Sequence, residues 1–208
     1  LEAIYIGDKP YVKAEINGGE ELLFLLDSGA SFSILQDTAK VKSLKLKRGF
    51  DLEIGGWGDD RNTLAYQTGV DEFSFGGVSF SNVKFAFFSL TETPYFARPD
   101  EALYDGVIGY DIMRHFAWTF NKRDNQISIS ASQYQPVSND EVKLEFDTFL
   151  SKISIPVTIS FDESHSVERD VTIDTGSRHY FKLSSAYLEG NKNKLGKPMV
   201  DAMDFGLS

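Results

Sequence analysis

The sequence predicts an all-β fold, and three observations carry that expectation. Apolar residues recur at alternate positions over long stretches, as in Phe73-Ser74-Phe75 and then Val83, Phe85 and Phe87. That is the period of a strand with one face buried. Phenylalanine and glycine each occur 17 times in 208 residues, a combination that suits strands joined by many turns. Between the alternating runs stand Asn17-Gly18-Gly19 and Gly76-Gly77, which read as hairpin turns.

In chain order, Ile4, Tyr5, Ile6, Tyr11, Val12, Ala14 and Ile16 carry a strand pattern up to Asn17-Gly18-Gly19. Leu22-Leu23-Phe24-Leu25-Leu26 is an unbroken apolar run, the mark of a strand buried on both faces. It delivers Asp27 into the turn Ser28-Gly29-Ala30-Ser31. Phe32, Ile34 and Leu35 suggest a short strand leaving that turn, whereas residues 37–48 fit a helical turn or a strand equally well. Leu52-Glu53-Ile54 then meets Gly55-Gly56-Trp57-Gly58, a hairpin tip with an aromatic inside a glycine cluster.

Residues 64–90 read as β throughout, with Phe73 to Phe80 a two-residue hairpin and its phenylalanines core residues. Residues 91–104 are loop-like and precede Asp105-Gly106-Val107-Ile108-Gly109. Asp111 is expected to cap a short helix through Arg114, His115 and Phe116. Trp118, Phe120, Ile127 and Ile129 flank a polar hairpin at 121–125. Ser130 to Asn139 is polar and aperiodic, the natural boundary between a lobe at 1–135 and a second unit at 136–208. Beyond it, strands are expected around Leu144, Phe146 and Phe149 and from Ile153 to Phe161, then a turn from Asp162 to Glu168.

Val171-Thr172-Ile173 leads into Asp174-Thr175-Gly176-Ser177, repeating 147 positions later the pattern around Asp27. An acid at the end of a buried strand is costly unless it is hydrogen-bonded. Two such acids brought together cannot both ionise, so one keeps its proton and the other loses it. The pair then offers a general acid and a general base that can act on one water. Ser28 and Thr175 can hold the carboxylates still, and Gly29 and Gly176 let backbone N–H groups approach them.

Composition narrows the alternatives. A net charge of −10 argues against nucleic acid as a partner. The run Lys40, Lys42, Lys45, Lys47, Arg48 reads as solvated surface. The absence of cysteine removes disulfides, thiolate nucleophiles and cysteine metal sites. His115, His165 and His179 have no ligand spacing, so no metal is expected. There is no Gly-x-Ser-x-Gly and no phosphate-binding glycine loop. No run approaches the ~18 apolar residues of a membrane span. The first residue is Leu1 rather than Met, so an upstream segment is expected. Were it a secretory signal, the compartment would be periplasmic or extracellular.

Asp27-Ser28-Gly29-Ala30 and Asp174-Thr175-Gly176-Ser177 resemble the active-site signature of the aspartic peptidases of the pepsin and retropepsin group. Val107-Ile108-Gly109, which ends 82 residues after Asp27, is similar to the two-hydrophobics-then-glycine element of that family. The resemblance covers residues 10–130 well and 150–185 thinly. It implies an acid-protease β-barrel lobe plus the start of a second, related lobe. It also implies an aspartic endopeptidase with Asp27 and Asp174 as catalytic acids and no cofactor. Ser28, Gly29, Ala30, Thr175 and Gly176 would border the peptide substrate, and Gly55, Gly56, Trp57 and Gly58 would cover it as a flap. The pair would form within the chain as a pseudo-dimer, or between two copies in a homodimer.

The second copy departs from the first at Arg178 and His179, where a cation near Asp174 would favour its charged form. The repeat is also short, with 34 residues after Asp174 and no second hydrophobic-hydrophobic-glycine element. These departures suit the alternative of a non-catalytic peptide-binding protein on the same fold. Another carboxylate-dependent hydrolase is a third possibility.

Overall fold

The computed structural model describes residues 1–54, 63–88, 104–131, 146–147, 151–160, 164 and 166–177. The first element is a hairpin of β1 (Ile4–Ile6) and β2 (Lys9–Ile16), so the predicted first strand is two arms. Gly7 and Asp8, at φ 55° and 67°, make the turn, the left-handed pair that matches strand twist in a tight hairpin. Then follow β3 (Leu22–Leu26), β4 (Ile34–Gln36), α1 (Ala39–Ser43), β5 (Arg48–Ile54), β6 (Thr63–Phe75) and β7 (Val78–Phe88). The undecided stretch 37–48 is therefore a helical turn running into a strand. Thr38 caps α1 by accepting a hydrogen bond from the Val41 N–H. Next come β8 (Gly106–Ile108), α2 (Tyr110–Met113), β9 (Ala117–Asn121) and β10 (Gln126–Ser130).

Sheet order is β1-β2-β3-β8-β4-β7-β6-β5, and β6 also pairs with β2. The ring β2-β3-β8-β4-β7-β6 thus closes as a six-stranded barrel among the described residues. β3 runs parallel to β8, and β8 antiparallel to β4. That placement explains the unbroken apolar run of β3. Leu22, Phe24 and Leu26 enter one core with Phe73, Phe85, Ile108 and Ile127. Leu25 joins Tyr11, Ile34, Ile54 and Val107 on the opposite face. Phe24 and Phe85 each meet Phe73 edge-on, at 5.1 and 5.2 Å, a favoured aromatic geometry. The two-residue turn at Gly76-Gly77 is as expected, with Phe75 opposite Val78.

The expectation that Asp111 caps the short helix is overturned. The N-cap is Gly109, without a side-chain cap, and Asp111 lies in the first turn. The cause is how the strand end is pinned. The Gly109 N–H donates to Ser33 Oγ at 3.0 Å, and the Tyr110 N–H donates to the Ala30 carbonyl at 2.8 Å. Asp111 instead accepts the Ser33 hydroxyl at 2.7 Å. The helix ends at Met113, short of His115 and Phe116.

Past the barrel, β11 (Phe146–Asp147), β12 (Lys152–Ser160) and β13 (Ser166–Thr172) form a separate three-stranded antiparallel sheet. β13 begins at Ser166, inside the stretch read as a turn to Glu168. The expected domain boundary at 135/136, the loop at 91–103 and everything after Ser177 lie outside the described residues. No helix among the described residues is long and apolar enough to cross a membrane.

Candidate active site

Each Asp-x-Gly turn follows the second arm of an antiparallel hairpin. Asp27 comes after β3, which pairs with β2, and Asp174 comes after β13, which pairs with β12. The fold joins the two turns by a reciprocal set of hydrogen bonds. The Ser28 N–H donates to Thr175 Oγ1 at 3.0 Å, and the Thr175 N–H donates to Ser28 Oγ at 3.1 Å. Each hydroxyl in turn donates across to the other strand end, Ser28 to the Ile173 carbonyl at 2.7 Å and Thr175 to the Leu26 carbonyl at 2.8 Å. Each hydroxyl is donor and acceptor at once, which only Ser or Thr of this size supplies here. Ser28 is 1% exposed, so losing its partners would strand buried polar groups at about 1–3 kcal/mol each.

The glycines are required by close approach. A Cβ on Gly29 would stand 2.6 Å from Asp174 Cγ, and one on Gly176 would stand 2.3 Å from Asp27 Cγ. Each carboxyl group therefore lies on the backbone of the opposite turn. Asp27 Oδ1 accepts the N–H groups of Gly29 at 2.8 Å and Ala30 at 3.1 Å. Asp174 Oδ1 accepts the Gly176 N–H at 2.9 Å. Burial pushes the Asp27 carboxyl up to about 7. The charge of Asp174 and a hydrogen bond between the two acids act in the same direction, while the Gly29 and Ala30 amides oppose them. A buried acid that holds its proton to neutrality is a candidate for proton transfer.

Of the residues expected at the site, Asp27, Ser28, Gly29, Ala30, Asp174, Thr175 and Gly176 are brought together. Gly55, Gly56, Trp57 and Gly58, with Arg178 and His179, lie outside the described residues. β5 and β6 pair as far as Ile54 opposite Thr63 on either side of the glycine cluster. Among the described residues no group of three or more His, Asp or Glu is placed to hold a metal.

Three polar residues of the barrel were not anticipated. Asp105, 7% exposed, accepts the Leu23 N–H at 2.9 Å and the Thr38 hydroxyl at 2.6 Å, tying β3 to the start of α1. Tyr104 packs against the apolar face that holds Tyr11, Leu25 and Ile34, its ring 5.8 Å from that of Tyr11. Burial raises its pKa, with the neighbouring Tyr11 and Asp27 adding to the effect and Gln36 opposing it. Gln36 is 1% exposed, and neither end of its amide has a partner in hydrogen-bonding geometry among the described residues. The one signal in the sequence was a carboxamide closing the apolar pair Ile34-Leu35.

Residues 12–112 match the family model described as aspartyl protease. Among solved structures, the chain is similar to a retropepsin-like aspartic protease from Rickettsia conorii. The two are 19% identical over 56% of this chain and 78% of that one, with a TM-score of 0.36. No curated protein matches the chain. The matched residues, 12–112, hold most of the barrel and the turn that carries Asp27, and over them the chain resembles an aspartyl protease.

Proposed function

We propose that the protein is an aspartic endopeptidase whose acids, Asp27 and Asp174, act as a pair formed within one chain. The observation that carries the proposal is the reciprocal seat of each carboxyl group on the other turn's glycine. That seat keeps two acids adjacent and gives them one proton between them over a wide pH range. Asp27 holds that proton up to about 7.

The chemistry follows from that charge state. A water between the acids loses a proton to the ionised carboxylate as its oxygen attacks the peptide carbonyl carbon. The protonated acid gives its proton to the carbonyl oxygen, so a neutral tetrahedral diol forms without an enzyme-bound acyl group. On collapse, the C–N bond breaks and the amide nitrogen takes a proton from the carboxyl group that gained one. The second hydroxyl of the diol returns its proton to the other carboxylate, which restores the starting pair. Ser28 and Thr175 keep both turns in register through the cycle, because any shift of one turn breaks bonds made by the other.

The test is cleavage of a broad peptide library between about pH 3 and 8, a span that brackets ordinary and raised carboxyl pKa values. The full-length protein is expected to cleave, and Asp27→Asn, nearly isosteric but unable to exchange a proton, to lose at least about 1,000-fold in kcat/KM. Wild-type protein that binds peptides yet cleaves none would transfer the assignment to a non-catalytic binder.

A further inference from the structure

We infer that Ser33 and Asp111 are positioning residues for Asp27. Together they fix the strand end on which the Asp27 turn rests, and so hold the acid in the orientation its chemistry needs. The inference rests on reading Asp27 as a catalytic acid. It adds to that reading two side chains that lie outside both Asp-x-Gly motifs.

The first observation is how the turn is fastened. Three consecutive residues, from the last of β8 to the first of α2, each bond to the stretch that begins at Asp27. The Asp27 N–H donates to the Ile108 carbonyl at 3.0 Å, and the Tyr110 N–H donates to the Ala30 carbonyl at 2.8 Å. Between them, the Gly109 N–H donates to Ser33 Oγ at 3.0 Å. The two stretches also touch. A Cβ on Gly109 would stand 2.7 Å from the Phe32 carbonyl oxygen and 2.9 Å from that of Ala30. Two of the three bonds join backbone to backbone, so only the one to Ser33 depends on a side chain. The Gly109 N–H and the Ile108 carbonyl belong to one planar peptide. A tilt allowed at Ser33 is therefore passed to the bond that holds Asp27.

The second observation is what orients that side chain. Ser33 is fully buried, and its own carbonyl accepts the Ala86 N–H at 3.1 Å, which ties its backbone to β7. A hydroxyl carries one hydrogen and rotates to suit its partners. Ser33 Oγ keeps a lone pair on Gly109 only while its hydrogen is committed elsewhere. Asp111 supplies that commitment by accepting the hydroxyl at 2.7 Å, and a bond to a carboxylate oxygen is stronger than one between neutral groups. The same Asp111 Oδ1 accepts the Ile112 N–H at 3.0 Å, which fixes the carboxylate in turn. The carboxylate, the hydroxyl and the Ile108–Gly109 peptide form one chain of hydrogen bonds that ends on the Asp27 N–H. Members of such a chain strengthen one another. Leu26 and Ile108, which flank the fastening, lie in the main core. Loss of one hydroxyl therefore leaves the barrel packed and falls on the orientation of the turn.

The experiment compares full-length wild type with Ser33→Ala, Asp111→Ala, the double variant and Asp111→Asn, with folding of each checked by circular dichroism. Amide hydrogen exchange reads the fastening without any need for activity. Exchange at residues 27–30 and 108–110 should quicken about tenfold in both alanine variants while β2 and β6 stay protected, the mark of a local opening. Steady-state cleavage of the best library peptide reads the consequence. There kcat should fall about tenfold, since small misplacements of a reacting group are costly, with KM within about twofold of wild type. The double variant should be no slower than the slower single variant, because the two side chains act as one chain. Asp111→Asn keeps an oxygen that can accept the Ser33 hydroxyl, so it should recover most of what Asp111→Ala loses. Unchanged exchange at 27–30 in both alanine variants would overturn the inference. So would losses that multiply in the double variant, a change confined to KM, or an Asp111→Asn as slow as Asp111→Ala. Quickened exchange in a protein whose wild type hydrolyses nothing would sink the peptidase reading and leave the fastening of the Asp27 turn standing.

Discussion

The two Asp-x-Gly turns are nearly the same in sequence and unequal in support. The Asp27 turn is bolted to a closed barrel. The Asp27 N–H donates to the Ile108 carbonyl, Tyr110 reaches back to Ala30, and the carboxylate accepts two backbone amides. The Asp174 turn follows a hairpin in a three-stranded sheet. Ile173 bonds to Ile153 beneath it, and the carboxylate accepts the Gly176 amide. It is also anchored to Ser28 and Leu26 of the first turn. The difference suggests that the barrel sets the geometry and the second turn docks on it, so matched substitutions in the two motifs should have unequal consequences.

The largest inequality is expected at the glycines. In Gly176→Ala the new methyl group presses on Asp27, whose carboxylate is held by two amides and cannot retreat. A loss of about 100-fold or more in kcat/KM is expected, since small displacements of reacting groups are that costly. In Gly29→Ala the methyl group presses on Asp174, whose turn follows the smaller three-stranded sheet, and the loss should be smaller. Equal losses would show the two turns to be equally rigid.

Next come the hydroxyls. Thr175→Val keeps the shape but strands the Leu26 carbonyl and the Ser28 N–H, for about 1–3 kcal/mol per buried group. Ser28→Ala strands the Ile173 carbonyl and the Thr175 N–H at similar cost. Both should lower Tm, and protease nicking should concentrate after residue 146, because the docked unit comes free while the barrel stays folded. Thr175→Ser, which keeps the hydroxyl, should restore most of the loss. Nicking spread evenly over the barrel would contradict the docking picture.

The pH dependence is milder and separates chemistry from docking. Asp27 has its folded pKa raised above its unfolded value of 3.8 to about 7. The native state therefore binds more protons than the unfolded chain between those values, and this group's contribution to stability falls as pH rises from about 4 to 7. Tm should decline over that range, and Asp27→Asn should flatten the decline. Activity should also fall through about pH 7, as the pair loses its last proton. A kcat/KM that rises through pH 7 would mean that Asp27 does not carry that proton.

Much of this was legible in the sequence because it rests on local pattern. The alternation at 73–87 and the unbroken run at 22–26 each reflect which strand faces are buried. The turn at Gly76-Gly77 is written in two residues. The candidate acids were visible for the same reason, since both sit in one short string that occurs twice. What escaped depends on long-range pairing. Asp111 fails to cap α2 because Ser33, 78 positions away, claims it. Asp105 is buried because Leu23 and Thr38 need its oxygens. The burial of the Gln36 amide has no local signature either, because it arises only when β8 inserts between β3 and β4.

The central claim is that one chain supplies both acids, and the most direct test is the activity of Asp174→Asn beside that of Asp27→Asn. Steady-state cleavage of the best library peptide should be abolished to the same degree in both, and mixing the two variants should restore nothing, because neither chain then holds a complete pair. An Asp174→Asn protein that cleaves like wild type would contradict the account and point instead to Asp27 pairing with its own copy in a homodimer.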